Sequence, residues 1–321
     1  MSIMKRNELS SRYFNSLSCK IFILGHATQG ESAIIFLCDG AEIVYTCVVD
    51  SFVSNDRIVV KDMLHGFGVP HITDLFWTHP HDDHSDGIIE LIEEFSPENV
   101  FLSAELHSLP DTVRSISSEV LNKINTYKGY DKRIKYAPKI RGICTNYTIC
   151  SETLHVGSKF VPFTMFTIAP SSGRVRKKVI DNQFNSLNDF SLAFSVNIGD
   201  FSILLTGDIQ NRMIDAANED LCQTVYTPNL LKIPHHGSND STNILNLFDE
   251  EDIIDFGVTT AKKSSSLPRD TAMKSYSARC DHTYYIDPKS THLAVWGIEA
   301  DIIAGTVKNI TCKAFEEYVP Q

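Results

Sequence analysis

Within six residues, His79-Pro80-His81-Asp82-Asp83-His84, the chain sets three imidazoles and a carboxylate at spacings that suit a divalent cation. Nitrogen and oxygen donors of this kind are those that zinc, manganese or iron take. A strand entering through Asp74-Leu75-Phe76-Trp77 puts His79 and His81 on one side by its two-residue period, and a turn then brings Asp83 and His84 round. Asp82 falls on the free position and reads as a solvated side chain.

Two distant segments offer further donors. Leu204-Leu205-Thr206-Gly207-Asp208 is an apolar strand ending in Gly-Asp, where glycine permits a close turn that presents the carboxylate at a sheet edge. Leu231-Lys232-Ile233-Pro234-His235-His236-Gly237-Ser238 again runs an apolar strand into imidazoles. Neighbours on a strand point to opposite faces, so only one of the two histidines serves the same metal. We assign that place to His235, and to His236 the role of proton donor or substrate contact.

The spacing His-x-His-x-Asp-His resembles the signature of the metallo-β-lactamase superfamily. Taken with Gln29-Gly30-Glu31-Ser32, Val48-Val49-Asp50, Asn188-Asp189-Phe190-Ser191-Leu192, Leu205-Thr206-Gly207-Asp208 and Pro234-His235-His236-Gly237-Ser238, the chain is similar over roughly residues 20 to 290 to the metallo-β-lactamase domain of the competence protein ComEC. The resemblance implies an α/β fold, an αββα sandwich of two mixed sheets flanked by helices, with a metal site at one edge. It implies two divalent ions, zinc or manganese, held by His79, His81, Asp83, His84, Asp208 and His235, with Asp208 bridging. Asp50 would support a ligand histidine from beneath.

The activity so implied is metal-dependent hydrolysis of a phosphodiester, as by a phosphodiesterase or nuclease, with a metal-activated water attacking phosphorus. Asp83 and His236 are then the catalytic side chains, His236 as acid for the leaving group. Two alternatives stand beside it: attack on a lactone, thioester or ester carbonyl, and a catalytically weak regulatory module in a larger assembly. The chain also departs from the pattern. Only His107 and His155 lie where many relatives supply another histidine, which leaves one metal position poor in ligands, and Leu267 stands before Pro268 where a histidine is common. Lys262, Lys263, Ser264 or His282 would have to substitute there. For substrate phosphate, the cationic candidates are Arg174, Arg176, Lys177, Lys178, Lys262 and Lys263.

Composition sets the frame for these residues. A net charge of -11 argues against a sequence-blind grip on nucleic acid over the whole surface, though not against a local basic groove. No run of about 18 apolar residues occurs, so no membrane span is expected. The N-terminus lacks the apolar core of a secretory signal, and eight cysteines without a Cys-x-x-Cys pair argue against a disulfide framework or a thiolate metal site. A cytoplasmic location is expected, with most cysteines buried as small apolar residues.

The elements that must position the site follow from periodicity. Lys20 to Leu37 reads as two strands joined by a polar turn at 25–32, and Glu42 to Val49 as a strand ending at Asp50. Ile88, Leu91, Ile92 and Phe95 mark a helix directly after the metal segment, and a second helix is expected from about Pro110 to Tyr127. Residues 128 to 145 read as a basic loop and Ser171 to Asn188 as a long polar connection. Strands are expected at 163–168, 190–198 and 201–205, with Gly199-Asp200 as a hairpin turn. A single domain over 1–321 is expected, with its core at about 20–290 and C-terminal strands to 315.

Overall fold

Long apolar runs such as Ile21-Phe22-Ile23-Leu24 are what strands need when both of their faces are covered. The computed structural model describes residues 6–106, 116–128, 137–184 and 186–320, and it uses these runs in that way. Among them, one sheet orders eight strands as Thr306–Lys313, Ala294–Asp301, Ser18–His26, Gly30–Asp39, Glu42–Val49, Asp74–Trp77, Asn99–Ser103 and Lys139–Ile143. A second orders nine, from Tyr13–Phe14 through Thr148–Val156, Lys159–Ala169, Ala193–Ile198, Phe201–Leu205, Leu230–Lys232, Ile254–Thr259 and Cys280–Tyr285 to Glu316–Glu317.

Alternation along each strand divides the core. Ile21, Ile23, Ile35 and Leu37 face the other sheet, where Phe163, Met165, Phe194 and Ile203 meet them. Their sequence neighbours Phe22, Leu24, Ile34 and Phe36 share a cluster with helix residues such as Leu64, Leu91 and Phe95. The Phe76 ring is stacked between Phe101 at 4.6 Å and Phe194 at 4.1 Å, and so joins the two sheets at the root of the histidine segment. The result is an αββα sandwich of two mixed sheets with helices outside.

Both sheets contain a parallel portion. Glu42–Val49 pairs in parallel with Asp74–Trp77, while Phe201–Leu205, Leu230–Lys232 and Ile254–Thr259 form a parallel run in the other sheet. The chain leaves the ends of these five strands at Asp50, Thr78, Thr206, Ile233 and Thr260. Crevices beyond the carboxyl ends of parallel strands are where α/β sheets collect functional residues.

Several expected boundaries move. The second strand begins at Gly30, so Glu31 and Ser32 belong to a strand rather than a turn, with Gly25 paired to Glu31. Lys139–Ile143 is an edge strand inside the supposed basic loop; its charges suit an edge, where they discourage further pairing. Ser172–Ile180 is a helix inside the supposed polar connection, with the Ser171 hydroxyl accepting from the Arg174 N–H at 3.4 Å. Of the helix expected from Pro110, Ile116–Lys128 is described and helical. Leu187–Phe190 is a short 3-10 turn, so the next strand begins at Ala193. Five of the eight cysteines are buried, and no helix among the described residues is long and apolar enough to cross a membrane.

Candidate metal centre

The site grows from Asp50, the first residue after the Glu42–Val49 strand. Its φ of +57° turns the chain, and its buried carboxylate receives the Thr78 N–H at 2.7 Å, the Thr78 hydroxyl at 2.6 Å and His84 Nδ1 at 2.8 Å. One acid therefore fixes both ends of the histidine segment. Ser85 completes the loop by accepting from the Trp77 indole at 3.0 Å and donating to the His81 carbonyl at 2.6 Å. Asp82–Ser85 forms a single helical turn, which carries Asp83 and His84 round to face His79 and His81.

Gly207 has φ +49°, and a Cβ there would lie 3.1 Å from Thr78 Cβ and 3.2 Å from the Leu192 carbonyl. Glycine thus lets the turn before Asp208 close against the histidine segment. Asp208 Oδ2 stands 3.8 Å from His79 Nε2 and 3.5 Å from His236 Nε2, and Oδ1 stands 3.6 Å from His84 Nε2. Asp83 Oδ2 lies 3.6 Å from His236 Nε2 and 3.9 Å from His84 Nε2, while His81 Nδ1 lies 3.0 Å from His79 Nε2. Two sets share the Asp208 carboxylate, each with its donor atoms within 4.8 Å of one another: His79, His81 and Asp208; and Glu31, His84, Asp208 and His236.

Both Asp208 oxygens, His84 Nε2 and His236 Nε2 are buried, and none has a hydrogen-bond partner. Polar atoms left this way in an interior cost several kcal/mol unless something else satisfies them. Carboxylate and imidazole donors converging from several sides suit divalent cations. Burial opposes ionisation of Asp208, but His236 and His84 outweigh it and hold the carboxyl well below its usual range. Burial would likewise lower His84, yet Asp208 and Asp50 raise it to about 10, and Asp208 with Glu31 raises His236 to about 9. His79, where burial dominates, is pushed well below its ordinary value and stays neutral. The donor types and their spacing therefore fit a divalent cation beside Asp208.

Of the pair His235-His236, with His235 expected as the ligand, it is His236 that stands in a group of donor atoms. His236 is buried and joins the cluster, whereas His235 Nε2 meets the Asn188 amide at 3.2 Å. The alternation argument fails because the strand ends at Lys232, and both histidines turn with positive φ, +49° and +51°.

The remaining candidates are dispersed. Lys262 reaches Asp83 Oδ2 at 2.6 Å, and Lys262 and Lys263 line a cleft of about 520 Å³ with His26, Gln29 and Asp83. Leu267 is buried and its backbone pairs with that of Lys262, while His282 pairs with Glu317 at 2.8 Å. Arg174, Lys177 and Lys178 line a different depression with Arg212, so they and Arg176 on the same helix do not share the cleft at Asp83. That helix is held in place by Lys178, which pairs with the buried Asp189 at 2.5 Å. His155 packs on Phe160 in the sheet, and His107 lies outside the described residues.

Sequence reading missed Glu31, Lys232 and Thr260, which stand behind His236. The Lys232 ammonium and the Thr260 hydroxyl both donate to Glu31, and Thr260 Oγ1 lies 2.8 Å from His236 Nδ1. The available signal was a lone lysine in the apolar run Leu230-Leu231-Lys232-Ile233, which burial would force to find an acid.

No family model matches the chain, and no curated protein matches it. Among solved structures it is similar to a diphosphatase from the PhnP family, at 11% identity and TM-score 0.42 over 88% of this chain and 98% of that one. It is also similar to a metallo-hydrolase from the hyperthermophilic archaeon Ignicoccus hospitalis, at 12% identity and TM-score 0.46 over 87% and 98%. An archaeal metallo-β-lactamase superfamily protein from Sulfolobus tokodaii gives 14% identity and TM-score 0.31 over 58% of this chain and 62% of its own length. At these identities the likeness concerns fold alone.

Proposed function

We propose that this chain is a metal-dependent hydrolase acting on a phosphodiester, with a site of the ComEC-like metallo-β-lactamase kind. The observation that carries the reading is the pair of donor sets sharing Asp208, whose buried carboxylate has no hydrogen-bond donor. His79, His81 and Asp208 would hold one zinc or manganese ion, and Asp83, His84, His236 and Asp208 a second. Bound there, such ions polarise a phosphoryl oxygen and lower the pKa of a water.

The side chains supply the rest. Asp50 holds His84 by its Nδ1 and so leaves Nε2 to face Asp208. Lys262, about one quarter exposed, can exchange Asp83 for a substrate phosphate oxygen at the cleft mouth. Lys263 and Gln29 line the same cleft and could meet a further phosphate or base of an extended substrate. Action as the hydrolytic part of a larger assembly is compatible with this reading.

The test is a hydrolysis screen with zinc or manganese, offering single-stranded DNA, RNA, cyclic dinucleotides, lactones and thioesters, with Asp208→Ala as control. Phosphodiester cleavage is expected, lost together with bound metal in the control. Turnover of lactones or thioesters without any phosphodiester would refute the substrate class. Wild-type protein that binds less than one metal per chain and hydrolyses nothing would refute the enzyme.

A further inference from the structure

We propose that Glu31 and Thr260, with Lys232 behind them, are positioning residues that fix the tautomer of His236 and so aim its Nε2 lone pair at the metal site. This inference rests on the metal reading above and deepens it.

The argument is one of donor counting. A carboxylate accepts only, so the Thr260 hydroxyl proton must go to Glu31 Oε2. Thr260 Oγ1 then has only lone pairs for His236 Nδ1 at 2.8 Å, and that nitrogen must carry the proton. With a cation bound, the other ring nitrogen, Nε2, offers its lone pair where Asp208 and Asp83 stand 3.5 and 3.6 Å away. Glu31 lies on the opposite edge of the ring, 3.3 Å from Nδ1. Its second oxygen is taken by Lys232, a buried cation that keeps Glu31 ionised, so neither oxygen is spare for a metal.

The same construction occurs once more in the site. The Thr78 hydroxyl donates to Asp50 Oδ2, and Thr78 Oγ1 lies 3.0 Å from His79 Nδ1, which leaves His79 Nε2 unprotonated, 3.0 Å from His81 Nδ1 and 3.8 Å from Asp208. Two carboxylate–threonine–histidine relays thus bring imidazoles to the same oxygen of Asp208, Oδ2. The second spans the sandwich, because Glu31 belongs to the eight-stranded sheet while Lys232 lies in the nine-stranded one and Thr260 at the end of one of its strands.

The experiment compares wild type with Thr260→Val, Thr260→Ser and Glu31→Gln, measuring zinc affinity by chelator competition. Long-range nitrogen–proton NMR of histidine-labelled, zinc-loaded wild type reads the tautomer without any substitution. The expected results are a Nδ1-protonated His236 and a zinc affinity lowered about 10–100-fold in Thr260→Val. Thr260→Ser, which retains the hydroxyl, is expected to remain near wild type. An indifferent Thr260→Val, or a His236 protonated at Nε2, would overturn the relay while leaving the metal reading intact. Loss of zinc in Glu31→Gln with none in Thr260→Val would make Glu31 a ligand and overturn it also. A wild type that takes up neither zinc nor manganese would overturn the metal reading itself, and the relay with it.

Discussion

Asp50→Asn separates the positional role of the buried acid from its backbone role. At φ +57° an alanine would be strained, whereas asparagine tolerates the left-handed region, so the turn survives the substitution. The amide has two orientations, and each leaves something unpaired. With its NH₂ at Oδ1, it opposes the Thr78 N–H and leaves a buried backbone donor unsatisfied. With its NH₂ at Oδ2, it opposes His84 Nδ1 and drives the proton to Nε2, where Asp208 and the metal should be. An unsatisfied buried donor costs about 1–3 kcal/mol. With about 2.1 cal/mol/K per residue near 60 °C, 321 residues carry about 0.67 kcal/mol/K, so Tm should fall by about 1.5–4.5 °C. In the second orientation zinc affinity should fall about 10–100-fold instead. Calorimetric melting of the metal-free protein and chelator competition read the two separately. Unchanged melting together with unchanged affinity would refute the reasoning.

Three further outcomes follow. Lys262→Met should retain its zinc but raise KM for the best phosphodiester by about tenfold or more, since a charge-assisted hydrogen bond is lost; steady-state kinetics at fixed metal content check this, and an unchanged KM argues against phosphate contact. Phe76→Ala, which empties the stack joining the two sheets, should cost about 3–5 kcal/mol in denaturant unfolding. Asp39 is held below its ordinary value because the Arg12 guanidinium at 3.0 Å and the N–H groups of Asn15 and Ser16 outweigh its burial. Its depressed folded pKa contributes stability above the ordinary carboxyl value of 3.8, lost as pH falls through the folded value. The Tm deficit of Asp39→Asn should therefore be present at neutral pH and vanish in acid, and a deficit that persists at acid pH would contradict the linkage.

What the sequence made legible was whatever depended on short spacing. His79, His81, Asp83 and His84 sit within one loop, so their donor pattern survives any error in the surrounding elements, and Gly207-Asp208 announced its turn by residue type. The placement of His235 and His236 was not legible because it depended on whether the strand continued; it stops at Lys232, and both histidines then turn with positive φ. Glu31 escaped because its meaning lies in partners 201 and 229 residues away. The Ser172–Ile180 helix was hidden by its polarity, although Ser171 as cap and the Val175, Val179 pair at helical spacing were both in view.

The wide separation of those partners also orders events during synthesis. Asp50 and the His79–His84 loop emerge early, but Asp208, His236 and Thr260 follow only after most of the remaining chain has been made. A nascent chain that ends before Asp208 has only one half of the donor set, and the parallel pairing that lines up Asp208, His236 and Thr260 must wait for the Ile254–Thr259 strand. On the metal reading proposed above, tight capture of a cation would be a late event, one that waits for both sheets to close on one another.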